Sequence, residues 1–137
     1  MGKLTGEAAT RYLREHSDAI LVVDGAAMSR SNLRRNLEYY GFTVVEAADA
    51  AQALERFGDR SVRIGLVLLD ITTTGGAART LVGGLLKADP GTRIILCTDQ
   101  APSEMRRTEA TSGIVGMLRK PVRTDRLLTA VSRALGI

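Results

Sequence analysis

Four polar residues lie at or just after the ends of short apolar segments of this sequence. They are Asp24, Asp70, Thr98 and Lys120. A carboxylate can act as a nucleophile toward phosphorus, and a second carboxylate can help to hold Mg²⁺, which prefers oxygen ligands. A hydroxyl and an ammonium can hydrogen-bond the oxygens of a transferred phosphoryl group and neutralise their charge. Together the four side chains would suit phosphoryl transfer. Simpler roles also exist, because the aspartates could cap helices, the threonine could cap a loop and the lysine could be a surface charge.

The segment 63–76, RIGLVLLDITTTGG, predicts how Asp70 is positioned. Residues 64–69 form an apolar run with one glycine, which is typical of a strand buried on both faces of a parallel sheet. In open α/β sheets, ligands bind just outside the carboxyl ends of the strands. We therefore expect Asp70 to lie at such a strand end, followed by a polar loop that ends in glycine.

The rest of the chain alternates between strand and helix patterns. Strands are predicted at 19–23, 43–47, 64–69, 93–97 and 114–118. Helices are predicted at 29–40, 50–57, 77–88, 102–111 and 124–135. Short connections between alternating strands and helices predict an α/β fold of three layers, a doubly wound parallel sheet with helices on both faces.

Two local signals refine these helices. Asp49, with Gln52 three residues later, has the spacing of a capping box that opens the helix at 50–57. Gly83 and Gly84 fall inside the helix at 77–88, where each costs about 1 kcal/mol relative to alanine. We expect that helix either to be weak or to press closely on the sheet at the two glycines.

Composition favours one soluble domain. The 137 residues are 45% hydrophobic and 25% charged, and Cys97 is the single cysteine. A lone cysteine cannot form an internal disulfide, which favours a reducing cytoplasm. No apolar run approaches the ~20 residues of a membrane span, and we expect neither a signal peptide nor a membrane partner. The net charge is +4, but the sequence has no basic run with interleaved aromatic residues. We therefore expect no direct binding of nucleic acid.

Residues 1–17 are polar and loosely patterned. We expect them to be a lead-in or linker segment, with His16 exposed in it, ahead of a single domain at 18–137.

Six pieces of residues 18–137, in order, resemble the receiver domain of two-component signalling. They are AILVVD, GFTVVEAADAAQALERF, IGLVLLDI, RIILCT, SGIVGMLRKPV and LLTAVSRAL. The resemblance implies a flavodoxin-like, five-stranded parallel sheet of order 2-1-3-4-5. It also implies a signalling domain rather than a turnover enzyme.

The resemblance assigns a role to each polar residue. Asp70 would accept a phosphoryl group from a phosphohistidine on a histidine kinase or phosphotransfer protein. Thr98 would be the switch hydroxyl that turns toward the acyl phosphate, and Lys120 would pair with that phosphate. Mg²⁺ would be bound by Asp24, Asp70 and the backbone carbonyl of Thr72.

The sequence departs from the family's pattern at three places. Gly25 replaces the second of two adjacent acids, so we expect Mg²⁺ to bind weakly; Asp99 could partly compensate or could repel phosphate. The loop after Asp70 lacks the usual proline, which predicts a more mobile loop. Met117 replaces an aromatic residue of the last strand, and we expect it only to fill the core.

Two other functions remain open from the sequence. A degenerate receiver could dock a partner without being phosphorylated. A haloacid-dehalogenase-like phosphatase also uses Asp, Thr and Lys on a parallel sheet, but Thr72 would replace its second aspartate and little chain remains for its other motifs.

The resemblance also implies two contact surfaces and a possible larger context. Kinases of this family dock on the first helix, which carries Arg30, Arg34 and Arg35, and output passes through the last strand and helix, with Arg119, Arg123 and Arg126. The closing pattern also resembles receivers at the ends of hybrid sensor kinases, so the chain could belong to a larger kinase or effector protein.

Overall fold

The computed structural model describes residues 18–74, 77–99 and 113–137. Its strands are β1 (Ala19–Val23), β2 (Thr43–Ala47), β3 (Ile64–Asp70), β4 (Ile94–Thr98) and β5 (Ile114–Arg119). All pairings between them are parallel, and the strand order is β2-β1-β3-β4-β5, which confirms the predicted topology. Every residue of β1 and β4 is buried, as expected for strands covered on both faces.

The helices in the described part of the chain are α1 (Ala27–Tyr39), α2 (Ala50–Gly58), α3 (Ile71–Thr74), α4 (Ala77–Ala88) and α5 (Thr124–Leu135). Helix α1 begins two residues before the predicted start at Ser29. The predicted helix at 102–111 lies outside the described residues. The prediction of a loop directly after Asp70 was wrong for residues 71–74, which form the short helix α3.

Helices cover both faces of the sheet. Alternate residues of the central strands, such as Val22 and Leu68, pack with buried leucines of α1 and α5. Their neighbours Val23 and Leu69 face the opposite side, where they pack with residues of α2 and α4. This alternation follows from the two-residue period of a strand and gives the predicted three layers.

Register aligns the carboxyl ends of the central strands. Val23 pairs with Leu69, and Asp70 pairs with Cys97. The residues that follow, Asp24 after β1 and Thr98 after Cys97, therefore emerge at the same edge as Asp70. Strands β3, β4 and β5 each extend one residue beyond the predicted end, because parallel pairing continues to the edge.

The predicted cap of α2 is present. Asp49 Oδ1 accepts a hydrogen bond from Gln52 N at 2.8 Å. The Gln52 side chain reaches back to the N–H of Ala48, at 2.9 Å, rather than to that of Asp49. Two backbone donors at the start of the helix are thereby satisfied.

Of the two alternatives expected for the helix with Gly83 and Gly84, close packing of the glycines on the sheet was wrong, and weakness of the helix stays a prediction. A Cβ built at Gly83 meets nothing within 4 Å, and one built at Gly84 lies 3.4 Å from Leu54 of α2. The glycines face solvent and the neighbouring helix because the stripe of α4 that packs on the sheet is formed by Ala78, Leu81, Val82 and Leu85.

Candidate functional site

Three of the four predicted site residues meet in direct contact at the carboxyl edge of the sheet. Lys120 Nζ donates to Asp24 Oδ2 at 3.0 Å and to Asp70 Oδ2 at 2.8 Å. Asp24 is 0% exposed and Asp70 is 1% exposed, whereas the Lys120 side chain is 17% exposed. The ammonium therefore bridges two buried carboxylates that come from different strands. The peptide bond between Lys120 and Pro121 is cis.

Asp24 also organises the start of α1. Its Oδ1 accepts from the N–H of Ala26 at 2.9 Å, and its Oδ2 accepts from the hydroxyl of Ser29 at 2.6 Å. Ala26, the N-cap residue, has no side chain that could cap the helix. The same carboxylate thus holds the segment that leads into α1 and pairs with Lys120.

The backbone at Asp24 is held by a neighbouring ion-pair cluster. Arg30 Nη1 donates to the Asp24 carbonyl at 2.8 Å, and Arg30 Nε donates to Glu46 Oε1 at 3.0 Å. Arg34 Nε lies 3.3 Å from the other Glu46 oxygen. Of the three arginines expected on the surface of α1, Arg30 and Arg34 are therefore engaged with β2, and Arg35 is exposed.

Thr98 joins the site through its backbone and through Thr72. The Thr98 carbonyl accepts from Lys120 N at 2.8 Å, and its buried hydroxyl lies 3.4 Å from Thr72 Oγ1. Thr72 in turn donates its backbone N–H to Asp70 Oδ1 at 2.9 Å. The residue two positions after Asp70 thus connects that carboxylate to the end of β4.

Sequence reasoning missed two hydroxyl groups of the site. The family resemblance implies a role only for the backbone carbonyl of Thr72, but its Oγ1 donates to Asp99 Oδ1 at 3.0 Å and accepts from Asp99 N at 3.2 Å. The resemblance implies no role for Ser29. The only sequence signal for it is its position in the first turn of a helix that begins beside Asp24.

The two aspartates keep Lys120 charged. Burial alone would lower the pKa of Lys120, but hydrogen bonds and negative charge from Asp70 and Asp24 outweigh it and raise the pKa above its ordinary value. Cys97, which is buried beside Asp70, has its pKa raised to about 12 by burial and then by the charge of Asp70. Its thiol stays protonated at neutral pH and is not a nucleophile of this site.

The groups that could bind Mg²⁺ are of the chemical type that this ion prefers, but they are few in number. Carboxylates and carbonyls are the oxygen ligands that this ion prefers, and Asp24, Asp70 and the carbonyl of Thr72 are of that type. The described segments contain no group of three or more His, Cys, Asp or Glu side chains placed to hold a metal ion. Asp99 contacts Thr72 instead of completing such a group.

A groove of about 610 Å³ adjoins the site. It runs between α1 and the segment after β5, and its lining includes Ser29, Thr72, Asp99 and Lys120. Met117 lies elsewhere, packed against the core on the face covered by α2 and α4, as expected for a residue that fills space.

The sheet order and the acidic pair bridged by a lysine define a receiver-type α/β domain. Residues 20–132 match the family model of the response regulator receiver domain. The chain belongs to this family and is a receiver domain of two-component signalling.

Comparisons with individual proteins support the assignment to this family. The chain is 33% identical over 117 residues to the chemotaxis protein CheY of Bacillus subtilis. This alignment covers 85% of this chain and 96% of that protein. It is 34% identical over 121 residues to the sensor histidine kinase AruS of Pseudomonas aeruginosa, covering 85% of this chain and 12% of the kinase. A CheY-like response regulator receiver domain protein from Methanospirillum hungatei superposes with a TM-score of 0.78 at 26% identity, over 87% of this chain and 94% of that one.

In the described part of the chain, no helix has both the length and the apolar character to cross a bilayer.

Proposed function

We propose that this receiver accepts a phosphoryl group on Asp70 from a phosphohistidine of a partner histidine kinase or phosphotransfer protein. The observation that supports it most is the Lys120 ammonium, held 2.8 Å from Asp70 Oδ2 and 3.0 Å from Asp24 Oδ2. Catalysis of phosphoryl transfer consists mainly of positioning and charge stabilisation, and a nucleophile beside a fixed cation supplies both.

In the transfer step, a carboxylate oxygen of Asp70 forms the new bond to phosphorus. The bond between phosphorus and the donor's imidazole nitrogen breaks, and its electron pair stays on that nitrogen. The product is an acyl phosphate at Asp70. Lys120 neutralises the negative charge that gathers on the phosphoryl oxygens in the transition state.

Thr98 is proposed as the hydroxyl that responds to the new phosphate. Support comes from its position at the end of β4, one residue after the partner of Asp70 in the sheet. Its hydroxyl lies 3.4 Å from that of Thr72. A turn of Thr98 toward the acyl phosphate would therefore change its contact with Thr72.

Mg²⁺ is proposed to be held by Asp24, Asp70 and the backbone carbonyl of Thr72. When bound, the ion supplies positive charge to the phosphoryl oxygens. With Gly25 in the place of a second acid, the site has two carboxylates, and we expect weak binding because charge and ligand number set affinity.

The cellular context is proposed from the relatives. The similarity to a free-standing chemotaxis protein and to part of a sensor histidine kinase is compatible with a separate receiver or with one inside a larger protein. A free and buried Cys97 fits a reducing compartment such as the cytoplasm.

Acetyl phosphate tests whether Asp70 accepts a phosphoryl group. The full chain is incubated with it over a series of Mg²⁺ concentrations, and intact mass is measured. We expect the mass of one phosphoryl group to be added to the wild type and to Asp59→Asn, which changes an exposed carboxylate at the end of α2, ahead of the strand that ends at Asp70. Asp70→Asn should gain nothing. A wild type that gains no mass at any Mg²⁺ concentration would overturn the proposal.

A second candidate, a receiver that binds a partner without accepting phosphate, has support from the burial of Asp70. That side chain is 1% exposed, and both of its carboxylate oxygens accept hydrogen bonds. Binding of a cognate kinase to wild type and to Asp70→Asn separates the two functions. Equal affinity together with no phosphorylation supports the binding module, whereas phosphorylation of Asp70 excludes it.

A further inference from the structure

Thr72 fixes the carboxylate of Asp99 beside the proposed acceptor. Asp99 Oδ1 accepts from Thr72 Oγ1 at 3.0 Å, and the backbone N–H of Asp99 donates to the same hydroxyl at 3.2 Å. The backbone N–H of Thr72 donates to Asp70 Oδ1 at 2.9 Å. One residue therefore joins the two aspartates and orients the carboxylate of Asp99 relative to that of Asp70.

The two carboxylates differ in their surroundings. Asp70 is 1% exposed, and its two oxygens accept hydrogen bonds from Thr72 and Lys120. Asp99 is exposed, and within the described segments only Thr72 donates to its side chain, at Oδ1. The other oxygen, Oδ2, can therefore accept a hydrogen bond from water.

The groove of about 610 Å³ beside α1 has room for that water. Its lining includes Asp99, Thr72 and Lys120, and a water molecule is held where a few polar groups surround a space of about 30 Å³. Thr72 and Lys120, which line the groove, are also bonded to the two oxygens of Asp70. A phosphoryl group on Asp70 would therefore extend toward the groove in which Asp99 binds water.

We infer that Asp99 orients the water molecule that hydrolyses the acyl phosphate at Asp70, and that it thereby limits the lifetime of the phosphorylated state. The water oxygen forms a bond to phosphorus, and the bond from phosphorus to the Asp70 oxygen breaks, with its electron pair left on the carboxylate. One proton stays on the attacking oxygen. The other, hydrogen-bonded to Asp99, passes to a phosphoryl oxygen, and inorganic phosphate leaves.

This inference rests on the proposed function, because Asp70 must first be phosphorylated. It goes further by giving Asp99 and the hydroxyl of Thr72 roles in ending the signal. Asp99 acts on the water molecule, and Thr72 acts through Asp99 by holding its carboxylate in one orientation.

Decay of the phosphorylated chain tests the inference. The full chain is phosphorylated with acetyl phosphate and Mg²⁺, the donor is removed by rapid desalting, and intact mass is followed with time. A side chain positioned on the proton of a reacting group contributes about 10²–10⁴-fold. Because Asp99 is exposed, we expect a smaller effect, with the half-life of Asp99→Ala at least about tenfold longer than that of wild type. Asp59→Asn, at the exposed end of α2, should decay as wild type does.

Thr72→Val separates orientation from negative charge. It keeps the charge of Asp99 and removes the hydroxyl that holds it, so we expect slower decay than in wild type. Thr72→Ser, which keeps the hydroxyl, should decay faster than Thr72→Val. If Asp99→Ala is long-lived but Thr72→Val decays as wild type does, repulsion between Asp99 and the phosphoryl group explains the lifetime, and the inference is overturned. A half-life of Asp99→Ala no longer than that of wild type overturns it as well.

The same masses distinguish failure of this inference from failure of the proposed function. Phosphorylation of Asp70 with equal half-lives in wild type and Asp99→Ala overturns only the role of Asp99. If neither chain gains the mass of a phosphoryl group at any Mg²⁺ concentration, the proposed function fails and the inference fails with it.

Discussion

Thr72 and Asp99 exchange two hydrogen bonds across the site. The Thr72 hydroxyl donates to Asp99 Oδ1 at 3.0 Å, and the backbone N–H of Asp99 donates back to that hydroxyl at 3.2 Å. One residue follows Asp70 by two positions and the other directly follows Thr98. The pair therefore joins α3, the short helix that follows the proposed acceptor, to the residue that follows the proposed switch residue.

Thr72→Val should destabilise the domain modestly. It keeps the shape of the side chain and removes both hydrogen bonds. A typical hydrogen bond contributes about 0.5–1.5 kcal/mol, and because these two lie at an exposed position we expect a loss near the lower end of that range. Urea unfolding should show a lower midpoint with an unchanged slope. Thr72→Ser, which keeps the hydroxyl, should lie close to wild type, and so should Thr80→Val on the exposed side of α4. A Thr72→Val variant as stable as wild type would show that the contact contributes nothing.

Lys120 should make stability dependent on alkaline pH. Its pKa in the folded state is raised above the ordinary value of a lysine side chain. A group with a raised folded pKa contributes stability that is fully present below its unfolded pKa and lost as the pH rises through the folded pKa. The difference in unfolding free energy between wild type and Lys120→Met, measured without divalent cations, should be constant up to about pH 10 and shrink above it. If this difference in unfolding free energy instead grows as the pH rises, the prediction is contradicted.

Gly83→Ala should stabilise the protein by about 0.5–1 kcal/mol, because alanine loses less backbone entropy in a helix interior. The site is open, since an added Cβ meets nothing within 4 Å. Gly65→Ala provides a comparison of opposite sign: its Cβ would lie 2.8 Å from Asp18 Cβ, so a side chain must shift. Thermal unfolding should therefore rank Gly83→Ala above wild type and Gly65→Ala below it.

Gly25→Asp should strengthen Mg²⁺ binding, because a third acid adds a ligand and a negative charge next to Asp24. Gly25 is exposed and is not among the glycines of the described segments that have positive φ, which are Gly41, Gly113 and Gly136. An aspartate at this position therefore needs no left-handed backbone conformation. Calorimetry should show an association constant at least about tenfold above wild type. Ala27→Asp, two residues along at the exposed start of α1, tests whether added negative charge alone is sufficient.

Local patterns determined most of the architecture. Continuous apolar runs marked β1, β3 and β4 because parallel strands covered on both faces carry no polar alternation, and Asp49 with Gln52 marked the start of α2. Alternation of strands and helices was enough to place Asp24, Asp70, Thr98 and Lys120 at one edge of a sheet. These features depend on residues close in sequence or on rules that hold for all such sheets.

Tertiary structure decided the contacts that give the site its chemistry. Lys120 reaches both aspartates, and Ser29 and Thr72 add hydroxyl groups, because α1, α3 and the end of β5 meet above the strand ends. The glycines of α4 face Leu54 and solvent for the same kind of reason, since the packing of one helix against another fixes which side meets the sheet. Such contacts join residues far apart in the chain, and their hydrogen bonds depend on distances of a few ångströms that residue types and spacing do not specify.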